Sequence, residues 1–479
     1  MATSNTSISP GVDPAETNSA PSFVNGLRST IATGNLSSDD AIWILTSTFI
    51  IFTMQSGFGL LECGTVSSKN ELNIMIKNMV DVIFGGTTFW MFGYAFQFGQ
   101  AEGANWFCGM GDYLLIHEDE KSEGDTLAHY FFQSSFSTTA ATIVSGAMAE
   151  RTKLLAYIAF SCFNTLIFVF PAHWIWSNRG FLKELQVIDV AGAGPVHILG
   201  GTTGLVATLM LKPRMNRFTK SEPKSKMSSP TNAMLGMFML WWGWLGFNCG
   251  STFGITDNKW ILAARSAVAT ISSSIGGGMV GMGLSYTFKK RKFDIADLIN
   301  SILGSLVSIT GYCAYAYPWE GFIIGCVGAV IVFFGVKLLE DLKIDDPVGC
   351  IPVHMMCGVW GLVCIGLFGQ PDTIGGTTKL YGVFYGGEYY LLCVQVLCVL
   401  IIIIWTVITS TIILTCIDLT IGLRISKEEE ILGSDIVEHD FNHVSDDRYE
   451  DETIKLLGDY QRLCKRKLSI ECEQYFRKF

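Results

Sequence analysis

The apolar residues of this chain fall in separate blocks of about 20 residues, each long enough to cross a ~30 Å hydrocarbon core. Of its 479 residues, 49% are hydrophobic and only 16% are charged, whereas a soluble globular domain is about 25% charged. The net charge of −10 also argues against a nucleic-acid-binding protein, which needs a basic face. The sequence therefore predicts an all-α membrane protein.

The apolar blocks predict eleven transmembrane helices. They are expected at 41–64, 74–99, 127–149, 154–176, 190–211, 232–251, 260–287, 297–317, 320–338, 348–369 and 387–418. The corresponding domain organisation is an extracellular N-terminal tail (1–40), an eleven-helix domain (41–422) and a cytosolic C-terminal tail (423–479).

The distribution of basic residues sets the predicted orientation, because cytoplasmic loops are enriched in Lys and Arg. With the N-terminus outside, the inner loops carry fifteen basic residues and the outer segments carry six. An odd helix count then leaves the C-terminus inside. Two sequons in the N-terminal tail, at Asn5 and Asn35, are candidate glycosylation sites. We therefore expect a multi-pass protein of the plasma membrane.

An internal repeat divides the predicted helices into two sets of five. Residues 189–206 align with 346–363 without gaps, and nine of these positions are identical. Five is an odd number, so the two copies insert in opposite directions, as in many transporters. The uniformly apolar final helix lies outside the repeat and is expected to face lipid. The predicted architecture is a 5+5 inverted repeat plus a final peripheral helix.

The repeat places one histidine in each half at a matched depth. His197 and His354 each lie eight residues after an aspartate, Asp189 or Asp346, which is ~12 Å along a helix. Because the halves insert from opposite faces, both imidazoles are expected near the midplane. A buried ionisable group in a membrane points to function, and a neutral imidazole pair suits a small protonatable solute.

Two other interpretations of the histidines stay open. Each could bond a neighbouring hydroxyl for packing alone, or both could belong to a metal site. A metal site needs three or four ligands, and the sequence places no carboxylate or thiolate to complete one in both repeats. We therefore predict no metal and no other cofactor.

Several stretches resemble the ammonium transporters of the Amt/Mep/Rh superfamily, and the Amt branch most. They are residues 57–64, 132–136, 146–151, 189–197, 241–248 and 345–349. The resemblance covers roughly 41–440. It implies a homotrimer in membrane lipid with one pore per subunit, ammonium or ammonia as solute with methylammonium as an analogue, and no enzymatic activity.

The resemblance also assigns roles to individual residues. Trp176, Phe136 and Ser251 match an outer ammonium-recruitment site, with Asp189 beside it. Phe136 and Phe247 match two stacked rings that block the pore, and Phe132, Gln133 and Trp244 match the surrounding vestibule and gate. His197 and His354 match the twin pore histidines. Bundle packing is the alternative for the aromatic rings, and helix N-capping for Asp189; capping and a role at the vestibule are compatible.

The expected mechanism is deprotonation at the gate followed by passage of ammonia through the histidine-lined pore. Electrogenic transport is favoured; an electroneutral ammonia or gas channel of Rh type and an ammonium sensor are the alternatives. In the tail, Val437 stands where some members carry a phosphorylated Thr, so that switch is not expected. Glu62 stands where some members carry a vestibule tyrosine; it could face a water-filled mouth or bond to a neighbour, and the details of the outer site stay open.

Overall fold

The computed structural model describes residues 36–116, 123–219, 227–374, 376, 378–441 and 458. Asn5 and Asn35 lie outside these residues, as does most of the tail beyond 441. The described part is helical, with two isolated β-bridges and no β-strand. The predicted all-α class is therefore confirmed.

Eleven long helical stretches and two short tail helices form the described bundle. They are α1 (Ser38–Thr65), α2 (71–98), α3 (Glu123–Met148), α4 (Leu154–Trp176), α5 (Ala193–Leu211), α6 (Pro230–Gly250), α7 (Lys259–Phe288), α8 (Ile295–Thr310), α9 (Pro318–Asp341), α10 (Ile351–Phe368), α11 (Tyr390–Thr420), α12 (Lys427–Leu432) and α13 (Ser434–His439).

Seven of the described helices are long and apolar enough to cross a membrane: α1, α4, α5, α7, α9, α10 and α11. The remaining long stretches are shorter or more polar, and α2 is interrupted by π-helical turns at Asp81–Gly85 and Phe89–Gly93. The chain is thus a multi-pass membrane protein. The count of eleven spans and the orientation of the termini stay predictions.

Each predicted half begins with a helix that a serine caps. The Ser37 hydroxyl accepts a hydrogen bond from the amide of Asp40 at the start of α1. The Ser229 hydroxyl accepts one from the amide of Asn232 at the start of α6, where Pro230 occupies the first turn. Such caps satisfy amides that have no intrahelical acceptor, so both ends are set locally by the sequence.

The first helices of the two halves pack along each other through glycines. A Cβ atom on Gly64 would lie 2.3 Å from the amide nitrogen of Ala233, and one on Gly236 would lie 2.2 Å from that of Leu61. Neither position has room for a side chain, so the backbones of α1 and α6 approach closely, as small residues allow in membrane bundles. This contact joins the two halves at the centre of the bundle.

The helices that carry the two histidines both begin with a π-helical turn. These turns are Ala193–Ile198 in α5 and Ile351–Met356 in α10. Each follows a glycine in the left-handed region, Gly192 at φ +89° and Gly349 at φ +83°, which favours glycine. These turns explain why α5 begins at 193 and α10 at 351, each three residues later than the apolar pattern predicts.

Candidate functional site

The two histidines meet in the interior of the bundle. The Nδ1 atoms of His197 and His354 lie 3.1 Å apart, and the rings are nearly parallel with centroids 5.2 Å apart. His197 is fully buried, and His354 is 5% exposed. The repeat alignment therefore identified two residues, 157 positions apart in the chain, that form a direct contact.

This contact fixes how the pair can share protons. A hydrogen bond between two Nδ1 atoms needs one of them to donate and the other to accept. In a neutral imidazole only one nitrogen carries hydrogen, so the accepting ring is protonated at Nε2 and the donating ring is not. The pair thus offers one donor and one acceptor. The buried Nε2 of His197 has no hydrogen-bond partner in the described structure.

An aromatic ring from the first helix of each half flanks the pair. Trp244 of α6 stacks on His197 with centroids 5.3 Å apart, and its indole nitrogen donates to Thr310 Oγ1 at 2.9 Å. Phe58 of α1 lies 6.2 Å from His354. Phe58 follows Gly57 and Trp244 follows Gly243; the segments 57–65 and 243–251 form a second, weaker sequence repeat, which relates α1 to α6. Matched aromatic rings from the two halves therefore flank the histidine pair.

Two stacked phenylalanine rings lie next to the histidine pair on the His197 side. Phe136 and Phe247 stack at 4.0 Å with 12° between their planes, and both are buried. Phe247 is 5.9 Å from His197. The residues that the sequence assigned to a gate therefore lie in direct contact with each other and next to the histidine pair.

Trp176 lies on the far side of the stacked rings. Its ring meets Phe136 edge to face at 5.8 Å, and its indole nitrogen donates to the carbonyl oxygen of Asp189 at 2.9 Å. Ser251 ends α6 one turn beyond Phe247, where its hydroxyl donates to the Phe247 carbonyl. We call the part of the bundle that these residues form the Trp176 end.

The remaining predicted gate residues support these rings from α3. Phe132 packs on Phe136 at 4.9 Å. Gln133 is buried, and its amide oxygen accepts from Gln97 of α2 at 3.0 Å, which fixes its side chain within the bundle. The sequence did not single out Phe253, which packs on Phe132 at 4.9 Å; it lies in a short loop outside every apolar block.

Asp189 and Asp346 hold the starts of the histidine helices in the same way. The Asp189 carboxylate accepts from the amides of residues 192, 193 and 194 at 2.7–2.9 Å. The Asp346 carboxylate accepts from residues 349, 350 and 351 at 2.8–3.1 Å. Each carboxylate thus fixes the π-helical turn that carries its histidine. Asp189 also lies beside Trp176, so its predicted roles as a cap and as a vestibule residue are geometrically compatible.

Glu62 does not lie at the Trp176 end. It occupies the opposite half of α1, where its carboxylate bonds with Ser145 and Asn78. It shares the lining of a cavity with His354. Glu62 therefore bonds to neighbouring side chains, which is one of the two alternatives that the sequence leaves open, because α1 runs through the whole bundle and Glu62 lies past its centre.

The C-terminal tail packs against the bundle of its own chain through α12 and α13. We call the part of the bundle that these two helices contact the tail end. Asp435 accepts from the amides of Leu72 and Asn73 at 3.0 and 2.7 Å. The Lys69 ammonium donates to the carbonyl oxygens of Glu430 and Ile431, both at 2.8 Å. Val437 is half-buried in α13.

An ion-pair cluster links three loops at the tail end. Arg214 donates through two side-chain nitrogens to Asp345 at 2.8 and 2.9 Å and through a third to Glu150 at 2.5 Å. Burial raises the pKa of the Asp345 carboxyl, but hydrogen bonds and the charge of Arg214 outweigh it and lower the pKa to about 2. The cluster therefore joins the loop before α4 and the loop after α5 to the loop before α10.

Groups of His, Cys, Asp and Glu arranged to hold a metal ion do not occur among the described residues. The described chain is thus a helical membrane protein with a pseudo-symmetric histidine pair between two halves, an aromatic constriction on one side and a cavity on the other. These features are typical of membrane transporters, whose binding sites lie between two halves of a helical bundle.

Comparison with known proteins identifies the family. Residues 42–443 match the Ammonium Transporter Family. The chain is 45% identical over 412 residues to "Putative ammonium transporter 3" of Caenorhabditis elegans, covering 84% of this chain and 60% of that relative. It is 33% identical over 421 residues to "Ammonium transporter Amt2" of Archaeoglobus fulgidus, covering 84% of this chain and 87% of that one. This chain therefore belongs to the Ammonium Transporter Family, within the Amt/Mep superfamily.

Solved structures share the fold. Saccharomyces cerevisiae Mep2 matches with a TM-score of 0.75 at 26% identity, covering 83% of this chain and 89% of Mep2. A protein described as "Sensor Amt Protein" matches with a TM-score of 0.76 at 29% identity, covering 84% of this chain and 98% of that one.

Proposed function

We propose that this chain transports ammonium across the plasma membrane, with the Trp176 end facing outside and the tail end facing the cytosol. The observation that carries the proposal is the unbroken series of contacts from Trp176 through Phe136 and Phe247 to His197 and His354. Family membership supports the solute, and the excess of basic residues in the predicted inner loops supports the orientation. The family resemblance further supports eleven spans and a homotrimer.

Recruitment at the Trp176 end follows from the residues there. The faces of Trp176 and Phe136 attract a cation through their ring quadrupoles, and the Ser251 oxygen can accept an N–H bond. Ammonium offers four N–H donors and potassium offers none. An alkali ion is selected by rings of oxygens, and this cluster of aromatic rings with one hydroxyl provides no such ring. The chemistry of the site therefore favours ammonium.

Passage beyond the stacked rings favours the neutral form. An ammonium ion near the bilayer centre would be costly, and no carboxylate hydrogen-bonds to either histidine in the described structure. The histidine pair offers ammonia one donor and one acceptor without a fixed charge. We infer that ammonium loses a proton near the Phe136–Phe247 stack and that ammonia then passes the two imidazoles.

The fate of the proton separates the two transport mechanisms. If the proton also crosses, transport carries net charge; if it returns outside, transport is electroneutral, as in a channel of Rh type. The close contact between two imidazoles, which can pass a proton through their shared Nδ1–Nδ1 bond, favours the electrogenic form. An ammonium sensor with little flux is the third possibility. The similarity to the "Sensor Amt Protein" is the reason that the experiment must also distinguish a sensor from a transporter.

Voltage-clamp recording from expressing cells tests the proposal. Ammonium and methylammonium, applied over a range of external pH, are expected to evoke inward currents that potassium does not evoke. Uptake of methylammonium without current would establish the electroneutral mechanism. Neither current nor uptake, with ammonium still bound by the purified protein, would favour a sensor.

A further inference from the structure

A small cavity of about 20 Å³, enough for about one water-sized molecule such as ammonia, lies on the tail-end side of the histidine pair. His354 lines it together with Val348 and Gly349 from the loop before α10. Its polar lining includes Glu62 and Asn300, and most of the remaining wall is apolar. A solute that passes His354 toward the tail end therefore meets the Glu62 carboxyl in this space.

The Glu62 side chain is held in place by two neighbouring helices. It is 2% exposed. Asn78 of α2 donates to Glu62 Oε2 at 2.7 Å, and the Ser145 hydroxyl of α3 lies 2.6 Å from both carboxyl oxygens. A carboxyl in a membrane interior is costly, and it therefore indicates a function. The proposed recruitment site, gate and histidine pair do not use the Glu62 carboxyl.

The hydrogen bonds of Ser145 are compatible with both the protonated and the ionised form of Glu62. The same Ser145 hydroxyl lies 2.6 Å from the backbone carbonyl oxygen of Thr142, which can only accept. A hydroxyl has one proton to donate. When Ser145 donates to Thr142, Glu62 must be protonated to bond with Ser145; when Glu62 is a carboxylate, Ser145 donates to it instead. Rotation of one hydroxyl therefore accommodates either state.

The pseudo-symmetric position in the other half carries no acid. In the repeat that pairs Gly57 with Gly243 and Cys63 with Cys249, Glu62 corresponds to Asn248. Asn248 is also fully buried and donates to Thr270 at 2.9 Å. An amide side chain is therefore sufficient for packing at this position. The carboxyl of Glu62 differs from it in being able to give and take a proton, which packing does not require.

We propose that Glu62 is the residue that gives a proton to the transported amine on the tail-end side of the pore. Ammonia that has passed His354 takes the proton from the Glu62 carboxyl: its lone pair forms a new N–H bond as the O–H bond breaks, leaving ammonium beside a carboxylate. The carboxylate then takes a proton from a hydronium ion in the cavity, and water is released. The inference rests on the proposed function and adds a protonating residue to it.

Other titratable groups surround this carboxyl. Among the described residues they are Asp81 and Lys77 of α2, Tyr157 of α4, Cys350 just before α10, and His354 of α10. Lys77 donates to the backbone carbonyl of Thr152 at 3.0 Å and does not reach the carboxyl. Glu62 is therefore the carboxyl that lines the cavity next to His354.

Ammonium currents in inside-out patches test this role, because the solution at the tail end can be exchanged. E62Q is expected to lower the current about 10-fold at neutral tail-side pH, since loss of a positioned proton donor slows proton transfer. E62A is the second variant, because a glutamine places an amide against Asn78 and can disturb folding. Lower tail-side pH, or formate that fits the vacated space, is expected to restore much of the current in E62A. Methylammonium uptake by the same cells provides a readout that needs no net charge.

Glu320 provides the matched control. It is also fully buried, but it caps the start of α9 and bonds with Gln370, away from the histidine pair. E320Q is expected to keep wild-type current. Wild-type current in both Glu62 variants at every tail-side pH would overturn the inference, as would a loss that neither formate nor acid restores. A wild-type chain with neither current nor uptake would instead overturn the proposed function.

Discussion

His197 and His354 face each other through the same ring atom, with their Nδ1 atoms 3.1 Å apart across the boundary between the two halves. Because two like atoms share one hydrogen, the protonation of each ring depends on that of the other. The pair therefore behaves as one group, and its two members cannot be assigned separate contributions.

Substitution of the histidine pair tests this dependence. We expect charge movement to be abolished or rerouted in H197A, in H354A and in the double variant. Each single variant is expected to lose about as much current as the double variant, because the effects of residues that act as a unit are strongly non-additive. Ammonium-evoked currents provide the measurement. Unaltered currents in the double variant would contradict the assigned role.

The Phe136–Phe247 stack is expected to exclude larger amines. F247L removes a stacked ring at a 4.0 Å contact and is expected to raise uptake of dimethylammonium relative to methylammonium. F168L is the control, because Phe168 of α4 is equally buried but packs on Phe89 of α2. Both variants are expected to lose about 1–2 kcal/mol of stability. A selectivity change in F168L as large as in F247L would contradict a gate at the stack.

Substitutions of Asp189 and Asp346 are expected to lower stability equally but to affect ammonium transport differently. D189N and D346N each place an amide group against backbone N–H donors, which is expected to cost about 2 kcal/mol. Thermal unfolding in detergent would measure this loss. Asp189 lies beside Trp176, so D189N alone is also expected to raise the ammonium concentration for half-maximal current. An equal rise in D346N would show that the effect is structural only.

The Asp345–Arg214 pair predicts a pH dependence of stability. Burial raises the pKa of Asp345, but the bonds and charge of Arg214 lower it to about 2 from an ordinary value of 3.8. A lowered carboxyl pKa stabilises the folded state above pH 3.8 and loses this effect as pH falls toward 2. D345N is therefore expected to cost ~2 kcal/mol at neutral pH. Unfolding in detergent is expected to show this difference shrinking between pH 4 and 2; a constant difference would contradict the ion-pair origin.

The tail is expected to detach when its bond to α2 is removed. Asp435 accepts from two amides at the start of α2, whereas Asp440 is exposed just beyond α13. D435N is expected to raise hydrogen–deuterium exchange across residues 423–441, and D440N is not. Equal exchange in the two variants would show that other contacts hold the tail.

The central contacts of the bundle could be predicted because the two halves repeat. The alignment of Asp189 with Asp346 and of His197 with His354 placed two side chains at one depth without knowledge of their neighbours. Apolar blocks predicted the all-α class in the same way, since each block carries its own signal. Helix ends were less accurate. The helix predicted to end at 317 stops at Thr310, and α5 and α10 begin three residues late, after left-handed turns at Gly192 and Gly349.

Contacts between distant loops could not be predicted. Arg214 and Asp345 lie 131 residues apart, and their pairing depends on how three loops meet at the tail end. Glu62 lies in an apolar block whose sequence does not indicate which depth or which neighbour it reaches. Phe253 lay outside every block, so periodicity gave no reason to select it.

The π-helical turns that carry the histidines constrain the length of the chain there. A π turn holds more residues than an α turn, so changing one into the other alters the chain length and rotates every residue that follows. The same turn occurs at matched positions in both halves. An insertion or deletion in one of the two turns would therefore shift one histidine relative to the other, so the 3.1 Å contact between the rings requires the two turns to keep matched lengths.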